Sequence, residues 1–166
     1  MRYYRYCGSY GTLGAGDVYM EVEDGFVRRQ VEIAGSQIVS SNLELIFPEG
    51  AIDYDELEQV LGCTQDDFEM AWAKNLERSR DRWTAIKKRF PAGTRVHGVI
   101  RMYGHGVIVS FGCQTYGRLD YDECMAAAGP GITDPIWHPC SVVVSGYDEE
   151  NQWLVFGSPK FLGRAR

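Results

Sequence analysis

Residues 93–111, GTRVHGVIRMYGHGVIVSF, read as two β-strands folded back on each other and opening a small closed barrel. From Thr94 to Met102 the apolar side chains fall on Val96, Ile100 and Met102, with Gly98 on the same face. Arg95, His97 and Arg101 take the other face, the alternation of a half-buried strand. Tyr103-Gly104-His105-Gly106 supplies a turn, and Val107 to Phe111 is a second strand rich in β-branched and aromatic residues.

Working outward toward the C-terminus, Tyr116 to Tyr121 is a third strand and Asp122 to Ala128 a short helix. Gly129 to Pro139 is a loop broken by three prolines. Val142 to Val144 and Trp153 to Phe156 are the last two strands, joined by the polar turn Gly146 to Asn151. Five short strands, with a helix-bearing connection between the third and fourth, are the pattern of an OB-type barrel.

Upstream, Arg2 to Tyr6 reads as a first strand, ended by Cys7-Gly8-Ser9 and the glycines at 11, 14 and 16. Val18 to Glu23 and Phe26 to Ile33 flank Asp24-Gly25, a strong two-residue hairpin signal. Gln37 to Ser40 is a weaker last strand of the same antiparallel sheet, and Ser41 to Gly50 crosses to the helical part with little regular structure. Leu57, Val60 and Leu61 have helical spacing, so a helix is expected over Asp53–Leu61, stopped by Gly62. Thr64 then reads as an N-cap, with Asp66, Asp67 and Glu69 near the positive end of the dipole. One long helix is expected from there to about Arg89, its stripe formed by Phe68, Trp72, Leu76, Trp83 and Ile86, in which Ser79 is the single polar member. The expected architecture is α+β: residues 1–90 form an antiparallel sheet with helices, ending in that long helix, and 91–166 form the five-stranded barrel, joined without a disordered linker.

The 166 residues, 45% of them hydrophobic, suffice for two small cores. No apolar run approaches about 18 residues and no leader is visible, so a cytoplasmic, non-membrane protein is expected. The five cysteines are odd in number and form no CxxC pair, which argues for reduced, mostly buried thiols. The net charge of −6 is distributed in blocks. Residues 1–73 carry four basic against fourteen acidic side chains, a net of −10. Residues 74–101 carry nine against two, a net of +7, and residues 102–166 four against seven, a net of −3. Only the middle block suits a polyanion; the first suits a basic partner.

The segments FPAGTRVHGVIRMYGHGVIVSFG, YGRLDY and CSVVVSGYDEENQWLVF resemble the five strands of an S1-type domain of the OB fold, from residue 91 onward. That resemblance implies single-stranded RNA binding through aromatic and basic side chains on the second, third and fifth barrel strands. Three positions depart from the family pattern: Gly106 stands where an aromatic is usual, Asp120 at the position often held by histidine, and Gln152 where a basic residue opens the fifth strand. Tyr103, His105, Tyr116 and Arg118 are the residues left to line an RNA-binding face. The first half, with its YxRYxxS-like opening, VEDGFVRRQVEI hairpin and DDFEMAW segment, looks like a small uncharacterised bacterial domain. Small acidic two-part proteins of this kind resemble immunity proteins, which block a cognate toxin by binding it.

Chemistry-bearing clusters have simpler structural explanations. Cys113, Cys124, His138 and Cys140 are spaced too widely for a usual zinc site and fit buried thiols beside a loop histidine, so no metal or other cofactor is expected. Gly11, Gly14 and Gly16 lead into a strand rather than a helix, which leaves no helix N-terminus for a phosphate. No nucleophile signature surrounds the three histidines, and the paired acids sit where helix starts favour carboxylates, so no catalytic residue is expected. The sequence therefore points first to a non-catalytic protein that binds a partner protein, plausibly a basic toxin, through Tyr3, Tyr4, Tyr10 and Tyr19 backed by Asp53, Asp55 and Glu56. RNA binding by the barrel is the alternative.

Overall fold

A computed structural model describes residues 1–7, 12–14, 16–48, 50–103, 106–112 and 114–162. The chain divides into two compact units, Met1–Arg80 and Asp81–Arg166.

In the first unit, strands β1 (Arg2–Cys7), β2 (Asp17–Glu23), β3 (Phe26–Ala34) and β4 (Gln37–Ser40) form an antiparallel sheet. Asp24 (φ 52°) and Gly25 (φ 81°) both take the left-handed conformation that a tight hairpin needs, so the β2–β3 turn follows from two residues. A single helical turn, α1 (Ser41–Glu44), follows. The helix expected over Asp53–Leu61 is not formed. Asp53 accepts a hydrogen bond from the Asp55 amide and starts only a 3-10 turn at Tyr54–Glu56, after which the chain extends into β5 (Val60–Gly62). That strand pairs antiparallel with Tyr4–Tyr6 of β1, completing the order β4-β3-β2-β1-β5. Local spacing favoured a helix, but the unpaired edge of β1 supplies backbone partners that local spacing cannot register.

Helix α2 (Gln65–Arg78) begins as the sequence implies: Thr64 accepts from the Asp67 amide while the Asp67 carboxylate accepts from the Thr64 backbone, a reciprocal capping box. The single long helix breaks at Ser79 (φ −108°, ψ 5°), whose hydroxyl donates to the Asn75 and Leu76 carbonyls, and α3 (Arg80–Arg89) resumes beyond it. Back-bonding of this kind competes with the helical ladder. The apolar stripe therefore serves two cores. Phe68 and Trp72 pack with Val31 of the first sheet, whereas Trp83 joins the core of the second unit, with Ile86 and Phe90 against it.

The second unit is a closed barrel of β6 (Arg95–Tyr103), β7 (Gly106–Ser110), β8 (Tyr116–Leu119), β9 (Pro139–Asp148) and β10 (Trp153–Phe161). Helix α4 (Tyr121–Ala128) joins β8 to β9, its first turn capped by Asp120. The strands close in the order β6-β7-β8-β10-β9 and back to β6, with β8 and β10 parallel and the other pairs antiparallel. This is an OB-like barrel, and the molecule is of mixed α+β class. Val96, Ile100, Val107, Val109, Leu119, Val142, Val144, Leu154 and Phe156 fill its interior.

Gly117 sits at a close approach inside the barrel. A Cβ there would stand 2.2 Å from Phe156 Cε2 and 2.7 Å from the Leu154 carbonyl oxygen. Gly117→Ala is therefore expected to lower stability by about 1–3 kcal/mol, read as a lower denaturant midpoint with an unchanged slope. An unaltered midpoint would contradict this packing. Among the described residues, no helix is long and apolar enough to cross a membrane.

Candidate functional site

Because side chains alternate along a strand, the residues between the interior positions of β6, β7 and β8 form one outer face. Register places them in rows. Arg101 pairs with Ile108, Ile108 with Arg118, and Arg118 with Val155 of β10. The next row holds Val99, Ser110 and Tyr116, and Tyr103 lies opposite Gly106 at the other end. Ile108 is only 1% exposed although it alternates with the interior residues Val107 and Val109.

Tyr103 and Tyr116 are half-buried, and desolvation pushes the Tyr103 phenol upward against the opposing influence of Arg101. Arg118 is exposed and reaches Asp148 through Nε at 3.3 Å. The Arg101 guanidinium lies 3.3 Å from the centre of the Trp137 ring, and its buried Nε has no hydrogen-bond partner among the described residues. Trp137 is fixed beside β6 by its amide, which donates to the Ile100 carbonyl at 2.9 Å, while the Ile100 amide donates to the His138 carbonyl at 3.0 Å. Three of the four residues expected at a nucleic-acid face, Tyr103, Tyr116 and Arg118, thus share one surface; His105 lies outside the described residues. Arg101 was legible as an outward-facing residue of its strand. Trp137, inside a proline-broken loop, carries no periodic signal.

Gly106, Asp120 and Gln152, the three positions at which the resemblance is incomplete, have local backbone roles. Asp120 accepts from the Glu123 amide as the cap of α4, Gly106 has φ 144°, a conformation that favours glycine, and Gln152 turns the chain before β10 with φ 51°. Each residue answers to backbone geometry at its position.

Among the described residues, the expected protein-binding tyrosines do not form an exposed aromatic patch. Tyr4 is 6% exposed, packs 5.4 Å from Tyr54, and donates to Asp55 at 2.9 Å. Tyr3 packs 5.5 Å from Phe68 and donates to Glu21, and Tyr19 lies beneath the Arg5 guanidinium. Tyr10 lies outside the described residues. Strand alternation and cross-strand neighbours commit these rings to the sheet. Asp53, Asp55 and Glu56 are exposed, but Arg2 and Tyr4 already contact Asp55, and Asp53 serves its own 3-10 turn.

The basic run is partly occupied within each unit. Arg78 pairs with Glu44 at 3.3 Å in the first, while in the second Lys87 pairs with Glu149 at 2.8 Å and Arg82 donates to the Gln114 carbonyl. Trp83 Nε1 also donates to Glu149 at 2.7 Å. Of the residues weighed for zinc, Cys124 and Cys140 are buried in the barrel, where desolvation pushes the Cys140 thiol up to about 11, and His138 lies against Phe161. Cys113 lies outside the described residues, and among the described residues no three ligating side chains converge. Cys7 is exposed and Cys63 half-buried, so of the four described cysteines Cys124 and Cys140 meet the expectation of burial.

No protein-family model matches the chain, and no curated protein matches it in sequence.

Proposed function

We propose that the chain is a non-catalytic binding protein whose barrel takes single-stranded RNA on the outer face of β6–β8, in the manner of S1-type domains. The observation that carries this reading is the sharing of one barrel face by Tyr103, Arg101, Tyr116 and Arg118. Aromatic rings offer stacking surfaces to bases and arginines meet phosphates, the two needs of single-strand binding. Charge supports the choice of unit: residues 81–166 hold ten basic against eight acidic side chains, a net of +2, whereas residues 1–80 hold seven against fifteen, a net of −8. A polyanion is drawn to the barrel and repelled by the sheet.

The test is an anisotropy titration of the intact chain with labelled single-stranded RNA of about 12 nucleotides at several salt concentrations. Saturable binding is expected, with log affinity falling against log salt with a slope of about −1 to −2, as for two or so phosphate contacts. Failure to saturate, or binding indifferent to salt, would overturn the reading.

The acidic excess of the first unit favours a second reading, a protein partner of opposite charge such as a basic toxin held by an immunity protein. Among the described residues it lacks aromatic anchors, since Tyr3, Tyr4 and Tyr19 pack within their own unit. Purification from the native host with one near-stoichiometric basic protein would promote it; recovery as a free monomer that binds RNA would remove it.

A further inference from the structure

We infer that Trp137 is a base-stacking residue of the barrel's outer face and that Arg101 is the cation that holds and polarises it. The inference rests on the nucleic-acid reading above and extends the face past the edge of β6 into the connection between α4 and β9. Three observations meet at this point. Trp137 is 61% exposed, whereas Trp72, Trp83 and Trp153 are 1%, 5% and 5% exposed. The Arg101 guanidinium lies over its ring, 3.3 Å from the centre, while the side chain as a whole stays exposed. Its position is fixed by backbone hydrogen bonds on both sides of Ile100 rather than left to a loose loop.

Register then gives the order across the face: the indole, Arg101, Ile108 and Arg118. An indole backed by a cation is a flat, rigid surface that accepts any base by stacking, and the cation adjoining it suits the phosphate that follows. Arginine serves here where lysine would not, because its planar group stacks on the ring while retaining donors at its edge. A nucleobase is favoured over a protein side chain as the occupant because the indole adjoins a row that carries two cations, Arg101 and Arg118, on the face where the tyrosines lie.

Trp137 also reports on itself, since the other three tryptophans are buried. On titration of the intact protein with unlabelled oligo(U) and oligo(A) of about 12 nucleotides, indole emission should be quenched in step with binding, and iodide should lose its access to the exposed ring. Trp137→Ala should bind roughly 5- to 150-fold more weakly and lose the quenching, while Trp137→Phe should retain most of the affinity. Wild-type quenching needs no variant, so a folding defect in Trp137→Ala would not blunt the test. Binding by anisotropy with neither quenching nor a change in Trp137→Ala would overturn this inference and leave the nucleic-acid reading standing. No binding by either method would overturn both.

Discussion

Arg29→Ala is expected to cost the first unit about 3–5 kcal/mol. Arg29 is 4% exposed at the middle of β3. Its Nε and Nη2 donate to the two oxygens of Glu21 at 2.6 and 2.9 Å, Nη2 also meets Glu69 at 2.7 Å, and the guanidinium lies 4.8 and 5.5 Å from the ring centres of Phe68 and Trp72. Glu21 is itself 7% exposed. Truncation would remove packing on two rings and leave a buried carboxylate beside Glu69 without its cation, which costs far more than the pair contributes when intact. The control is Arg29→Met with Glu21→Leu, which removes both charges and keeps the volume. Its denaturant midpoint should lie close to wild type. Equal losses in both variants would show that packing, rather than the stranded charge, dominates at this site.

The second large effect concerns binding. Tyr103→Ala with Tyr116→Ala should weaken single-stranded RNA roughly 30-fold or more, because each stacked base is worth about 1–3 kcal/mol. The corresponding double phenylalanine variant should keep most of the affinity, since stacking needs the ring and not the hydroxyl. Both residues are half-buried, so the denaturant midpoint must be measured alongside. An affinity loss in the alanine variant at an unchanged midpoint is the expected result, and undiminished binding would remove the tyrosines from the face.

The barrel was legible because its strands obey a two-residue period with glycines where the interior is tight, and a period-two pattern survives translation into structure whenever one face is buried. The Asp24-Gly25 hairpin and the Thr64 cap were equally legible, since a turn or a cap is decided by two to four adjacent residues. Features that depend on distant partners were not. Strand β5 exists because β1 offers an open edge, and the helix break at Ser79 separates residues that share one periodic stripe but pack into different cores. The same distinction divides the candidate sites. Tyr103, Tyr116 and Arg118 were expected together from the resemblance to S1-type domains, and alternation within paired strands accounts for the face they share. The burial of Tyr4 and the exposure of Trp137 follow from tertiary neighbours, for which a tyrosine in a strand or a tryptophan in a loop carries no local mark.

Amide chemical-shift mapping of the intact chain with single-stranded RNA of about 12 nucleotides tests the binding face most directly, because it reports where the strand lies as well as whether it binds. The expected result is a set of saturable shifts concentrated on Arg101, Tyr103, Ile108, Tyr116 and Arg118, with the sheet of residues 1–62 unmoved. Shifts confined to the first unit, or none at concentrations well above physiological, would contradict the assignment of the outer face of β6–β8 as the binding site.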